Sequence, residues 1–362
     1  MRVFRSGGLS HHHKAGWLMA GPAVFLVAMF LILPFFMAFG FSLTNQRLFS
    51  PKPTQYVGLD NFKRMLGVSY LILEPERDTQ TGTILIDEDG APVYPRLRTY
   101  TRNNPDYPHL DRMREWISFD LSEDRRLYLL ARDVIFMKAF VITVTFVLVT
   151  APLQAGLALL LALLINQPLR GINVFRTMYF MPVVIAMVVV SMLWRFIYDG
   201  QDGLLNSLLG FMSFGLFEPV DWLGNTETAL GSIIAMSVWQ GVGFHMVIWL
   251  AGLQTISPHL YEAAHLEGAN RWQTFFYVTW PGLRNTAILV MVIITMQSFR
   301  LFPQVAVMTG GGPLDSTQSL VFQMVERGYG KQDIAEGSAI SVFLFLFVLL
   351  VSLGQRYLVR ER

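Results

Sequence analysis

The sequence of 362 residues contains no cysteine, and only 15% of its residues are charged. Without cysteine the chain has no disulfide framework, no thiol nucleophile and no thiolate metal site. It also lacks the phosphate-binding motif G-x-x-x-x-G-K-[ST], so the run Gly310–Gly312 is interpreted as a loop, and this chain is not expected to hydrolyse ATP. The net charge of +2 is too small to indicate nucleic acid as a partner. His11–His13 are interpreted as incidental, and no metal site is predicted.

Apolar residues, by contrast, make up 53% of the chain and cluster in long uncharged runs. Soluble domains carry about a quarter charged residues, so this composition indicates an all-α integral membrane protein. A helix needs roughly 20 apolar residues to cross a bilayer. Pro152, Pro182 and Pro303 are expected to mark bends or breaks in such helices. Six predicted spans are long enough or nearly so: 16–43, 136–165, 174–198, 229–254, 284–305 and 337–358.

The distribution of lysine and arginine predicts the orientation, because short cytoplasmic loops are enriched in both residues. With the N-terminus inside, the cytoplasmic segments hold ten such residues: Arg2, Arg5, Lys14, Arg170, Arg176, Arg271, Arg284, Arg356, Arg360 and Arg362. The short loops on the opposite side hold four: Arg195, Arg300, Arg327 and Lys331. Both termini are therefore expected in the cytoplasm.

The segment 44–133 is the one substantial polar stretch, and we expect it outside the cytoplasm as a small insert between the first two spans. Thr83–Ile86, the pair Asp89-Gly90 and Val93-Tyr94 are typical of a hairpin around a tight turn. Two strands alone are marginally stable in water, so the insert is expected to pack on the helices or on a partner.

The loop 257–283 between the fourth and fifth spans predicts two helices outside the membrane. Ser257 can cap a first helix with Pro258 at its first position. Gly268 supplies a C-terminal stop, because glycine tolerates the left-handed conformation. Asn270 can cap a second helix that ends near Pro281. The small residues of the first helix suit close approach by another surface.

The spacing of Glu262-Ala263-Ala264, Gly268 and Pro281 resembles the EAA motif of the permeases of binding-protein-dependent ABC importers. Val278 and Trp280 depart from the Ile and Leu of the usual pattern. Three further segments resemble the maltose-type and glycerol-phosphate-type carbohydrate permeases: Val57–Phe62, Gly310–Pro313 and Gly337–Ser341. The resemblance does not extend to residues 67–125.

This resemblance implies the type I ABC importer permease fold in a bacterial inner membrane, with a sugar or sugar-like solute, possibly phosphorylated or sulfonated, as cargo. The implied partners are a dimer of ATP-binding subunits that holds the ATP and Mg²⁺, a second permease of different sequence, a periplasmic solute-binding protein and the lipid bilayer. No cofactor is expected on this chain. The implied segments are the leader 1–15, the first helix 16–43, the periplasmic insert 44–133, the core 134–305, the periplasmic loop 306–336, and the last helix and tail 337–362.

The solute path is expected along the fourth and fifth spans, because polar groups in apolar helices are costly unless they face protein or water. The candidate residues are Gln297, Arg300, Gln240, His245, Trp239 and Ser298. The resemblance to maltose-type permeases adds Gly241 and Phe244. Alternatively, these side chains bond neighbouring helices, or Arg300 extends to the membrane interface.

Two other functions remain as alternatives. A self-sufficient secondary transporter requires intramembrane carboxylates and inverted repeats, and the six spans contain no Asp or Glu and no evident repeat. An intramembrane enzyme requires paired catalytic groups, and His245 has no such partner in the sequence pattern.

Overall fold

The computed structural model describes residues 8–51, 53–78, 83–87, 90–122, 124–167 and 171–360. Its α-helices are α1 (Gly8–Val27), α2 (Leu33–Ser42), α3 (Asp60–Leu66), α4 (Arg98–Thr101), α5 (Val134–Ile165), α6 (Ile172–Val184), α7 (Met187–Ile197), α8 (Leu204–Met212), α9 (Ala229–Gln254), α10 (Pro258–Leu266), α11 (Arg271–Thr274), α12 (Trp280–Gly282), α13 (Arg284–Ser298), α14 (Pro303–Met308), α15 (Leu320–Val325) and α16 (Ile334–Arg360). The strands are β1 (Val68–Leu73), β2 (Arg114–Ser122) and β3 (Arg125–Ala131). The side chains of His11–His13 lie outside the described part.

Within the described residues, four helical segments are long and apolar enough to cross a membrane: Met19–Ser42, Val134–Ile165, Ala229–Gln254 and Ile334–Tyr357. Two bent pairs raise the number to six if each pair is one span. Helices α6 and α7 meet at 99°, and Arg271–Gly282 meets α13 at 67°. The structure thus gives a mostly helical chain with four to six candidate spans.

Two of the predicted spans differ from single straight helices. The predicted span 174–198 breaks at Ile185 and Ala186, both of which have extended ψ angles near 135°, shortly after Pro182. The predicted span 284–305 ends as a helix at Ser298, and a new helix begins at Pro303. Proline disfavours helical geometry in the residue before it, which explains the interruption at Phe302. Helix α5, in contrast, continues through Pro152.

The chain divides into two compact units, and the first comprises the described residues up to Lys63 with Met324–Phe343. In this unit, π-helical Ala28–Ile32 joins α1 to α2. The buried amide of Asn61 donates to the carbonyl oxygens of Ser42 and Thr44, both at 2.8 Å, so α3 fastens the end of α2.

The same unit contains the start of α16. A Cβ on Gly337 would lie 2.8 Å from the Cα of Gly328, so the two backbones meet closely at the turn that follows π-helical Glu326–Gly330. Asp333 caps this turn by accepting from the backbone amide of Glu336 at 3.0 Å, and it pairs with Arg47 at 3.1 Å.

The second unit comprises Arg64–Gln323 and Leu344–Arg362, and it begins with the insert. The insert adds an antiparallel sheet of order β1-β3-β2 to this mostly helical chain, and this sheet was not predicted from the sequence. One face of the sheet packs around fully buried Leu110 and Leu130, whereas Phe119 and Leu121 on β2 are exposed. Beside it, in the segment predicted as a hairpin, the amide of Val93 donates to the carbonyl oxygen of Leu85 at 2.8 Å; Asp89 of the predicted turn lies outside the described residues.

The helical core of the second unit is built on α5, α9 and α13. Buried Ala151, Ala155, Ala158 and Ala162 recur at helical spacing and present a narrow face of α5 to its neighbours. Small residues allow membrane helices to approach closely, which favours packing where no hydrophobic effect drives association. This core positions both the cavity and the loop described next.

Candidate functional site

The loop after α9 begins with α10, every residue of which is at least partly exposed. Ser257 precedes the helix with non-helical angles (φ −60°, ψ 128°) and Pro258 is at the first position, as predicted. The Ser257 hydroxyl makes no capping hydrogen bond, so that part of the prediction is wrong. Glu262, the first residue of the EAA-like motif, is 68% exposed at its side chain, and one of its carboxylate oxygens lies 3.1 Å from Nδ1 of His259.

Helix α10 ends in a Schellman motif at Gly268, which has a φ of +77°. The amide of Gly268 donates to His265 at 3.1 Å, and that of Ala269 donates to Ala264 at 2.9 Å. A Cβ added to Gly268 would meet nothing within 4 Å. The glycine is therefore required by the backbone conformation and not by lack of space.

The second helix of the loop begins with a capping box. The Asn270 side chain accepts from the amide of Gln273 at 2.9 Å, and the Gln273 side chain accepts from the amide of Asn270 at 2.8 Å. The helix continues through π-helical Phe275–Thr279 to Gly282, with Pro281 exposed near its end, as predicted. Tyr261 Oη lies 3.2 Å from Thr279 Oγ1 and links the two helices.

An open groove of about 440 Å³ lies between the two helices of the loop. Its lining includes Ala263, Ala264 and Gly268. Apolar side chains stand out beside it: Leu266 is 89% exposed and Tyr277 is 80% exposed. Exposed apolar groups that cluster in this way are typical of a protein–protein contact surface.

A second cavity, of about 360 Å³, lies among α6, α7, α9, α13 and α14. Six of the eight predicted solute-path residues line it: Gln240, Gly241, Phe244, His245, Gln297 and Arg300. Val183 and Met187, on either side of the break between α6 and α7, close one side with apolar groups. An apolar wall with a few convergent polar groups is the usual chemistry of a small-molecule site.

The other two predicted residues lie elsewhere. Ser298 is buried away from the cavity lining. Trp239 is 43% exposed and packs edge-to-face on Trp194 with ring centroids 5.4 Å apart. Both side chains fit a packing role better than contact with the cavity.

Close backbone approach fixes the wall that α9 contributes. A Cβ on Gly241 would overlap the side-chain amide of Gln154 on α5, and a Cβ on Gly243 would overlap the carbonyl oxygen of Tyr179 on α6. His245, which is fully buried, holds its Nδ1 at 2.9 Å from the Gly241 carbonyl oxygen and 3.1 Å from the Gln154 amide nitrogen.

One further polar residue of the lining, Gln304 on α14, is absent from the set of predicted site residues. Gln304 is buried, with 8% of its surface exposed. Its Oε1 has no hydrogen-bond partner among the described residues. The signal in the sequence was its position directly after Pro303, the residue at which α14 begins. Both residues line the cavity.

Comparison with known proteins gives a match to the family described as "Binding-protein-dependent transport system inner membrane component" over residues 154–361. The chain is 33% identical over 229 residues to the probable ABC transporter permease protein YurN of Bacillus subtilis (strain 168), covering 62% of this chain and 78% of that protein. It is 34% identical over 208 residues to the trehalose/maltose transport system permease protein MalF of Thermococcus litoralis, covering 58% of this chain and 69% of that protein. A chain from the crystal structure of a bacterial ABC transporter involved in the import of the acidic polysaccharide alginate shares the fold, with a TM-score of 0.66, 18% identity and 98% coverage of each chain.

Proposed function

Because this chain belongs to the family of inner membrane components of binding-protein-dependent transport systems, we propose that it is the permease subunit of an ATP-driven importer for a sugar or sugar-like solute. The chain makes and breaks no covalent bond. ATP and Mg²⁺ bind to a separate dimer of ATP-binding subunits, and this chain binds no cofactor. Alternating access of the cavity then follows the nucleotide cycle of the partner.

The observation that carries the proposal is the exposed helix α10 between α9 and α13, with Ala263 and Ala264 beside an open groove. Exposed apolar side chains beside a groove, such as Leu266 and Tyr277, favour a surface that a partner covers. The Schellman motif and the capping box fix the turn between the two helices of the loop, and the second helix leads directly into α13. We infer that Glu262, Ala263, Ala264, Gly268 and Pro281 form or support the contact with one ATP-binding subunit.

The cavity supports the solute class. Amide groups from Gln240 and Gln297 can bond hydroxyls, and the Phe244 ring offers an apolar face to a sugar ring. The relative from Thermococcus litoralis is a permease of a trehalose/maltose transport system, which favours a saccharide here too.

The remaining partners and the location belong to the same proposal. We take the chain to have six spans and one loop, 257–283, that contacts an ATP-binding subunit, which amounts to half of a channel. A second permease of different sequence then completes the pore. A periplasmic binding protein delivers the solute. The family description favours the inner membrane, and the excess of Lys and Arg favours cytoplasmic termini. The insert 44–133 then lies in the periplasm.

A self-sufficient secondary transporter is not favoured. Such a protein couples ions through carboxylates at membrane depth. Helices α5, α6, α7, α9 and α13 contain no Asp or Glu in their sequences. An exposed, rigid α10 also has no role in that mechanism.

Co-purification from the native membrane tests the proposal. We expect an ATP-binding subunit and a second permease to accompany the wild-type chain, and Glu262→Ala to reduce the recovered ATPase activity. Glu227→Ala, in the loop before α9, is the matched control and is expected to change nothing. Recovery of the wild-type chain alone would contradict the proposal.

A further inference from the structure

Among the described residues, the lining of the cavity between α6, α7, α9, α13 and α14 has one guanidinium group and no carboxylate. The cation is Arg300, which is exposed toward this space. No described residue forms a hydrogen bond or an ion pair with its guanidinium. A guanidinium that lines a largely apolar cavity without a partner is available to pair with an anion from outside the chain.

Other arginines of the described chain differ in this respect. Arg195 on α7 donates to the carbonyl oxygen of Val307 at 3.3 Å. Arg47 pairs with Asp333, and Arg327 pairs with Glu336 at 3.9 Å. Of these four, Arg300 is the one whose guanidinium makes neither a hydrogen bond nor an ion pair within the described residues.

Two buried polar atoms of the same lining also lack partners among the described residues: His245 Nε2 and Gln304 Oε1. Whether His245 Nδ1 donates to Gly241 or accepts from Gln154, its Nε2 remains unbonded. A buried polar group without a partner is costly, and each such group in a folded protein calls for an explanation. A hydroxyl group can both donate and accept, so it satisfies either atom.

We propose that the solute of this cavity is an acidic saccharide, whose anionic group pairs with Arg300 while its hydroxyls bond His245 and Gln304. This inference rests on the proposed function and adds the charge of the cargo to it. The planar guanidinium can form two parallel hydrogen bonds to either a carboxylate or a phosphate. The proposal therefore requires a sugar that carries an anionic group and leaves open which of the two it is.

The test is equilibrium binding of radiolabelled sugars to the complete complex, purified in detergent at low ionic strength. The probes are glucose, glucuronate and glucose 6-phosphate, which differ in the presence and kind of anion. The variants are Arg300→Gln, Arg300→Lys and the matched control Arg195→Gln. For the wild type we expect an anionic probe to bind about tenfold more tightly than glucose, or better, as charge-assisted hydrogen bonds require.

The proposal expects Arg300→Gln to bring the affinity ratio of anionic to neutral sugar close to one with little change for glucose. Arg300→Lys should keep most of the ratio, and Arg195→Gln all of it. The two anionic probes then tell carboxylate from phosphate. Equal affinity for all three sugars overturns the inference and leaves the importer function standing.

Two further outcomes also overturn the inference. If the counter-charge comes from another subunit, Arg300→Gln weakens assembly of the complex while the affinity ratio stays unchanged. If the complex hydrolyses ATP but binds none of the three probes, the cavity is not a site for such a sugar. Loss of the proposed function itself would appear differently, as a chain that recruits no ATPase at all.

Discussion

His245 on α9 and Gln154 on α5 contact each other across the two helices that form the centre of the membrane core, with Nδ1 3.1 Å from the amide nitrogen. The contact is buried, and Gly241 leaves the space that the Gln154 side chain occupies. It holds the imidazole at the wall of the cavity, so helix packing and cavity chemistry depend on the same three residues.

Replacing Gln154 should therefore affect stability and solute binding together. Gln154→Leu keeps a similar volume but removes the amide, and a buried polar group that loses a partner costs about 1–3 kcal/mol. We expect a lower melting temperature in detergent and weaker sugar binding. Gln201→Leu, in an exposed loop, is the control; equal melting temperatures for both variants would contradict the role assigned to this contact.

Close packing of α9 on α6 predicts a steric effect at Gly243. The added methyl of Gly243→Ala overlaps the carbonyl oxygen of Tyr179, and overpacking of this kind costs about 1–3 kcal/mol. Thermal unfolding followed by tryptophan fluorescence should show the loss. Gly231→Ala on the same helix meets nothing within 4 Å and should be neutral or stabilising, because alanine favours helix. If both variants unfold alike, the close approach is not real.

Because Gly268 has a left-handed backbone and free space around it, the effect of a substitution there should depend only on how well the new residue tolerates that conformation. Gly268→Ala places a side chain at φ +77°, which costs roughly 1–2 kcal/mol and corresponds to about a 5- to 30-fold loss in the population of the intact loop. Gly268→Asn should retain most function, because asparagine tolerates this conformation. The measurement is ATPase activity of the reconstituted complex. A Gly268→Asn variant as impaired as Gly268→Ala would point to a contact that only glycine permits.

The insert sheet predicts a local effect of core substitution. Leu130 lies on the central strand β3, between β1 and β2, and its side chain is fully buried. Leu130→Ala should lower the free energy of unfolding of the sheet by about 2–5 kcal/mol. Limited proteolysis should then cleave within residues 68–131 before the helices. Leu121→Ala removes a 59% exposed side chain and should leave the cleavage pattern unchanged. Resistance of the Leu130→Ala variant would mean that the sheet is held by something other than this core.

The loop after α9 was predictable because its signals are local. Pro258 and Gly268 act through their own backbone geometry and Asn270 through a bond of its side chain to a nearby amide, and the structure has all three in the predicted roles. Ser257 shows the limit of such reasoning, since a residue at the N-cap position does not have to form the capping bond.

The cavity was predictable only in part. Polar residues in apolar spans pointed to Gln240, His245 and Gln297, but a sequence does not say which of them face one space. Trp239 and Gln240 are adjacent in sequence, yet only Gln240 lines the cavity, because neighbours on a helix point in different directions. Pro182 indicated a bend in this span, but the size of the turn between α6 and α7 could not be read from the sequence.

The sheet of the insert was missed although its signal is present. Ile117, Phe119 and Leu121 alternate with polar residues at the period of a strand, and β3 follows after a short polar turn. Pro92, Pro95, Pro105 and Pro108 precede these strands in the sequence, and proline disfavours regular structure. They in fact occupy the connection between β1 and β2, where part of the chain covers the sheet.

ATP-dependent sugar uptake into proteoliposomes is the most direct test of the central claim, that a separate ATPase drives this permease through α10. The purified complex would be reconstituted with ATP or ADP enclosed, and accumulation of a panel of radiolabelled mono- and disaccharides measured with wild-type chain and with Glu262→Ala. The account predicts accumulation of at least one sugar only with ATP, and a marked loss in the variant. Accumulation that ignores ATP but follows an imposed ion gradient would contradict the account.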